Sequence, residues 1–110
     1  MIKIIHNKLV RDNIPEIIRQ DKAEPKVRLL EQAEFLIELF RKLEEEAKEA
    51  AGVIYEKPEL IKELADVYEV IDAIIENCGL DKEEIMKIKI KRQAERGGFT
   101  KKIFLESVEN

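Results

Sequence analysis

Two stretches of this chain carry apolar residues three and four positions apart for about five turns each, which restricts the fold to long amphipathic helices packed on one another. In residues 31–51, Phe35, Leu36, Leu39, Phe40, Leu43, Ala47 and Ala50 recur at this period until Gly52 stops the run. In the second stretch Pro58 suits a first helical turn, and Leu60, Ile61, Leu64, Val67, Ile71, Ile74 and Ile75 continue to Cys78 before Gly79 ends it. Residues 52–57 form a short connection, which favours antiparallel neighbours.

The flanks read as smaller pieces. Asn13 is placed to cap a short helix ending near Asp21, with Glu16 reaching back, and Asp81 to cap a third main helix that runs to Gly97-Gly98. That helix carries Ile85, Met86, Ile88 and Ile90 beside a basic face. Residues 99–105 set Phe99, Ile103 and Leu105 on one side, the alternation of a short strand that would pair with 26–30 or with the amino-terminal segment. The expected architecture is an all-α single domain over residues 1–110, a helical bundle with a small β appendage. Two long helices make a thin core, so the bundle is expected to be completed by a homodimer or larger homo-oligomer.

Composition narrows the class. Hydrophobic residues are 45% of the chain and charged residues 40%, enough apolar material for a core and incompatible with wholesale disorder. Twenty basic residues against 24 acidic ones give a net charge of -4, which argues against coating duplex nucleic acid while leaving room for a small anion held by a few Arg or Lys. No apolar run approaches membrane-spanning length and the start lacks a signal-peptide pattern, so a cytoplasmic protein with no membrane partner is expected. The single cysteine, Cys78, falls on the apolar stripe and reads as a buried structural thiol. Tyr55 and Tyr68 read as packing residues.

Certain carboxylates lie on the wrong side of their helices for solvated charge. At about 100° per residue, Glu46 projects between Phe35 and Leu39, about 20° from each, with Glu49 about 60° further round. The second helix repeats the arrangement, with Glu63 about 20° from Val70 and from Ile74 and Asp66 about 60° outside it. Antiparallel packing brings the two pairs together, and four converging carboxylates need a cation to offset repulsion and desolvation. Oxygen ligands and a single His favour Mg²⁺, or Mn²⁺, over zinc. The competing reading is a solvated acidic run with i, i+4 charge pairs.

Glu45-Glu46-x-x-Glu49 followed by Glu63-x-x-Asp66 resembles the EExxE and ExxD signature of the all-α nucleoside triphosphate pyrophosphatase superfamily, which includes MazG, dimeric dUTPases and phosphoribosyl-ATP pyrophosphohydrolase. Asn7-Lys8-Leu9-Val10-Arg11-Asp12-Asn13-Ile14-Pro15-Glu16-Ile17-Ile18 and Glu95-Arg96-Gly97-Gly98-Phe99 are similar to a small single-domain branch of MazG-like proteins, so the likeness covers nearly the whole chain. The resemblance implies Mg²⁺-dependent cleavage of the α–β phosphoanhydride of a nucleotide to monophosphate and pyrophosphate. It implies Glu46, Glu49, Glu63 and Asp66 as metal ligands, and makes Glu45 the candidate for orienting water or supporting the site from the side. Phosphoribosyl-ATP hydrolysis in histidine biosynthesis uses the same bond cleavage, and a non-catalytic helical interaction module stands as the reading from another class.

Phosphate oxygens also call for guanidinium or ammonium groups. Lys8 and Arg11, ahead of the short helix, and Arg92 and Arg96, one turn apart near the end of the last one, are the candidates for binding a nucleotide substrate. Their alternative is ordinary surface charge or pairing with the acid-rich helices.

Overall fold

In a computed structural model that describes residues 2–110, the described residues form four α-helices and no strand. These are α1 (Ile14–Gln20), α2 (Gln32–Ala51), α3 (Lys57–Asn77) and α4 (Lys82–Arg96). The chain divides into two compact units, Met1–Gly79 with α1 to α3 and Leu80–Asn110 with α4. The class is all-α, and no described helix is long and apolar enough to cross a membrane.

The first unit is built on α2 against α3, the two helices that the three-and-four spacing predicts. Leu39 from α2 and Val70 and Ile74 from α3 form the buried centre, with Leu9, Phe35, Leu36, Leu43 and Ala73 packed around them. Burying a side chain of this size contributes about 1.5–3 kcal/mol, so this centre is modest for a chain of 110 residues. Many apolar side chains of the same helices stay exposed, among them Ile37, Phe40, Ile61 and Leu64.

Local chemistry sets the helix ends. Pro58 stands in the first turn of α3, where a missing N–H costs nothing. The Asp81 carboxylate accepts from the Glu83 N–H at 2.9 Å and caps α4 as expected. Gly97 follows α4 at φ 82°, a left-handed conformation that glycine adopts without strain.

Four expectations give way. Asn13 makes no side-chain cap bond, because its backbone is already right-handed (φ −89°, ψ −4°) and the N-terminal turn closes instead through the Ile14 N–H to the Arg11 carbonyl at 3.0 Å. The β appendage does not form among the described residues. Segment 99–105 is interrupted by a turn in which Lys102, at φ 58°, donates its N–H to the Phe99 carbonyl at 3.4 Å, so its apolar residues do not share a strand face. Cys78 is exposed, since α3 ends at Asn77 and the following residue leaves the apolar stripe. Tyr55, in the turn between α2 and α3, and Tyr68, on the outer face of α3, are exposed rather than packed.

Candidate metal centre

Helical rotation alone predicts Glu46 beside Leu39 and Glu63 beside Val70 and Ile74, and these three apolar residues are the buried centre of the first unit. Glu46 is accordingly buried, with 7% of its surface accessible, and is the only charged residue so enclosed among the described residues. Glu63 and Asp66 are half-buried on the facing helix. One carboxylate oxygen from each of Glu46, Glu63 and Asp66 lies within 4.8 Å of the others. Glu49, the fourth acid of the expected set, is exposed and stands outside this group.

Two oxygens of these carboxylates are poorly served by protein. Oε2 of Glu46 and Oε2 of Glu63 are buried without a hydrogen-bond partner. A buried acceptor left in this state costs about 1–3 kcal/mol, more when charged, and a pair of them facing a third carboxylate is a donor set suited to a hard divalent cation. The electrostatics agree in direction. Burial pushes the Glu46 carboxyl above the ordinary glutamate range, Glu49 and Asp66 add to the rise, and Lys42 opposes it. Partial burial also raises Glu63, followed by hydrogen bonding and charge from Glu49 and the charge of Asp66. Glu49 is therefore close enough to act on both acids although it is not part of the compact trio.

The chain's own cations surround the acids. Arg11 Nη2 donates to Asp66 Oδ1 at 2.7 Å, and its Nη1 lies 4.0 Å from Glu69 Oε1. Lys8 Nζ meets Glu45 Oε1 at 3.3 Å, while Lys42 Nζ lies 3.3 Å from Glu45 Oε2 and 3.5 Å from Glu46 Oε1. Partial burial alone would raise the Glu45 carboxyl, but Lys42 and Lys8 outweigh it and hold the group below its usual range. A cavity of about 250 Å³ opens here, lined by the cations Lys8, Arg11 and Lys42, the acids Glu46 and Asp66, and the apolar Val10 and Ile14.

Of the residues singled out from sequence, Lys8, Arg11, Glu46 and Asp66 line this one cavity, Glu63 completes the trio, and Glu45 and Glu49 adjoin it. Arg92 and Arg96 belong to the second unit, where they line a separate open groove with Lys89, Gln93, the two glycines and Phe99. Lys42 is the residue that sequence reasoning passed over. Its signal was present in the i, i+3 and i, i+4 spacing to Glu45 and Glu46, which places it on the same face one turn earlier.

No family model matches the chain, and no curated protein or solved structure matches it either.

Proposed function

We propose that this chain is a Mg²⁺-dependent nucleotide pyrophosphohydrolase that cleaves the α–β phosphoanhydride of non-canonical nucleoside triphosphates to the monophosphate and pyrophosphate. The observation that carries the reading is the pair of partnerless buried oxygens on Glu46 and Glu63, converging with Asp66 beside a cavity lined with Lys and Arg. A purely structural acid cluster is expected to satisfy its buried oxygens from the protein; this one leaves Glu46 Oε2 and Glu63 Oε2 open. The acidic motif on the two packed helices is the feature that resembles the pyrophosphatase superfamily.

Glu46, Glu63 and Asp66 would hold the ion, with Glu49 as a fourth carboxylate reachable by rotation of its exposed side chain. A bound Mg²⁺ supplies Lewis-acid charge for the phosphoryl oxygens and for activation of water. Lys8, Arg11 and Lys42, which line the same cavity as Glu46 and Asp66, would offset the remaining phosphate charge. Arg92 and Arg96 line a groove of their own within the second unit and are proposed there as phosphate-binding groups. Hydrolysis adds water across the P–O–P link, so one P–O bond forms, one breaks, and a proton leaves the attacking water. Glu45 is the acceptor we assign, since its carboxylate adjoins the cavity through Lys8 and Lys42, which both line it. The exposed apolar residues of α2 and α3 are proposed to be covered by a second copy of the chain.

Pyrophosphate release from a panel of canonical and modified nucleoside triphosphates and phosphoribosyl-ATP, with Mg²⁺ or with chelator, tests the reading. Metal-dependent release, lost in Glu46→Gln and in Glu63→Gln, is the expected result, and preference for phosphoribosyl-ATP would reassign the substrate. A folded protein that releases nothing and binds no divalent ion would leave the helical interaction module in its place.

A further inference from the structure

We propose that Arg11 is an internal counter-ion that a divalent cation must displace from Asp66, so that loading the acid trio releases the guanidinium of the amino-terminal segment. This rests on the metal-binding part of the function proposed above and goes beyond it.

The contact from Arg11 Nη2 to Asp66 Oδ1, at 2.7 Å, is the shortest ion pair made by any member of the trio among the described residues. The other two cations are placed differently. Lys8 pairs with Glu45, outside the trio. Lys42 sits on α2 itself, its side chain only 16% accessible, at 3.5 Å from Glu46. Arg11 alone reaches an acid of α3 from a segment that belongs to neither long helix.

The segment is built to keep its backbone in place while that side chain moves. Leu9 packs against the buried centre of α2 and α3, and the Arg11 carbonyl accepts the Ile14 N–H at 3.0 Å at the start of α1. Between these two tethers the Arg11 side chain is 55% accessible, so leaving Asp66 disturbs no packed core. A guanidinium holding Oδ1 of Asp66 and an ion drawing on the same carboxylate compete for its single negative charge. Charge balance points the same way: Arg11 and Lys42 together leave the three carboxylates under-neutralised, and a divalent cation supplies the charge that Arg11 provides.

The test uses the full chain and the metal alone. Mn²⁺ affinity is measured by calorimetry or by electron paramagnetic resonance for the wild type, Arg11→Gln, Arg11→Lys and Lys8→Gln. Lys8 lines the same cavity, so Lys8→Gln removes the same unit of charge without touching Asp66. Release of an exposed ion pair corresponds to about threefold to fivefold tighter Mn²⁺ binding in Arg11→Gln, against less than about twofold in Lys8→Gln. Arg11→Lys is expected to fall between wild type and Arg11→Gln. In the wild type, the Arg11 Nε–H resonance, identified by its absence in Arg11→Lys, is expected to shift on adding Mg²⁺. Equal affinity changes in the two Gln variants, or an Arg11 resonance that Mg²⁺ leaves in place while binding proceeds, would overturn the displacement and leave the metal site standing. Absence of Mn²⁺ binding in all four proteins would overturn the metal site itself.

Discussion

At the scale of single residues, Glu46 is the one buried charge among the described residues: a carboxylate enclosed on the face of α2 that holds Leu39, with one oxygen unmatched. Replacing it by Gln keeps the shape and removes the charge, so in chelator Glu46→Gln is expected to gain roughly 1 kcal/mol in urea denaturation. A loss of stability of that size would mean that Lys42 compensates the charge fully. The same variant is expected to lose at least about tenfold in Mn²⁺ affinity, because one of three donors has gone. The pH dependence has a definite sign. Glu46 and Glu63 have folded values raised above their unfolded ones, so the stability they contribute is complete below the unfolded range, near about 4.3, and is lost as pH rises through the raised values. Denaturation in chelator across this window is expected to show the wild type losing stability relative to the Glu46→Gln, Glu63→Gln double variant as pH increases. Mn²⁺ affinity is expected to rise over the same window, since ion and proton compete for the same oxygens. A pH-independent difference between the two proteins would refute the assignment of the raised values.

At the scale of elements, the helices stand on unequal support. The α2 and α3 helices bury a stripe against each other, whereas α4 has no buried residue and depends on its own ends. The cap on α4 should therefore be felt directly. Asp81→Ala is expected to cost about 1 kcal/mol of helix stability, read as faster amide exchange in the first turn of α4. Unchanged exchange there would show that the carboxylate bond to Glu83 is incidental. The capping outcomes also show where reading a helix start from sequence succeeds. Asp81 keeps an extended backbone (φ −97°, ψ 116°) from which its side chain reaches the next turn; Asn13 does not, and its side chain makes no cap bond. Residue type was right in both cases, and backbone conformation separated them.

At the scale of the whole molecule, the exposed apolar residues of the long helices are ordered. Phe40 on α2 and Leu64 on α3 lie roughly 100° round from the packed stripes, and Ile37, Ile61 and Tyr68 extend the same outer faces. Each helix thus presents a second apolar stripe, the pattern of a helix with two neighbours rather than one. Sedimentation at micromolar concentration is expected to show a dimer or larger assembly. The Ile61→Glu, Leu64→Glu double variant is expected to shift it toward monomer by at least about tenfold in dissociation constant, since charge on an apolar interface is not tolerated. A wild-type monomer would remove the second copy from the functional picture while leaving the acid trio, which lies within one chain, untouched.

Helix type, the extents of α2 and α3 and the intrusion of Glu46 and Glu63 into apolar faces were all legible in the sequence, because a rotation of about 100° per residue makes the face of each side chain a property of position alone. Distances between helices are set by another quantity, the axial register of α2 on α3, and no periodicity within either helix encodes it. Packing therefore decided that Asp66 joins the trio while Glu49 stays outside. It also decided that Arg11 meets an acid 55 positions away in the chain and that Lys42 lies half-buried among the carboxylates. The alternation in 99–105 had the same limitation from the other side, since a strand exists only where a partner strand supplies its hydrogen bonds. Sequence determined which side chains face inward; tertiary structure decided which of them meet.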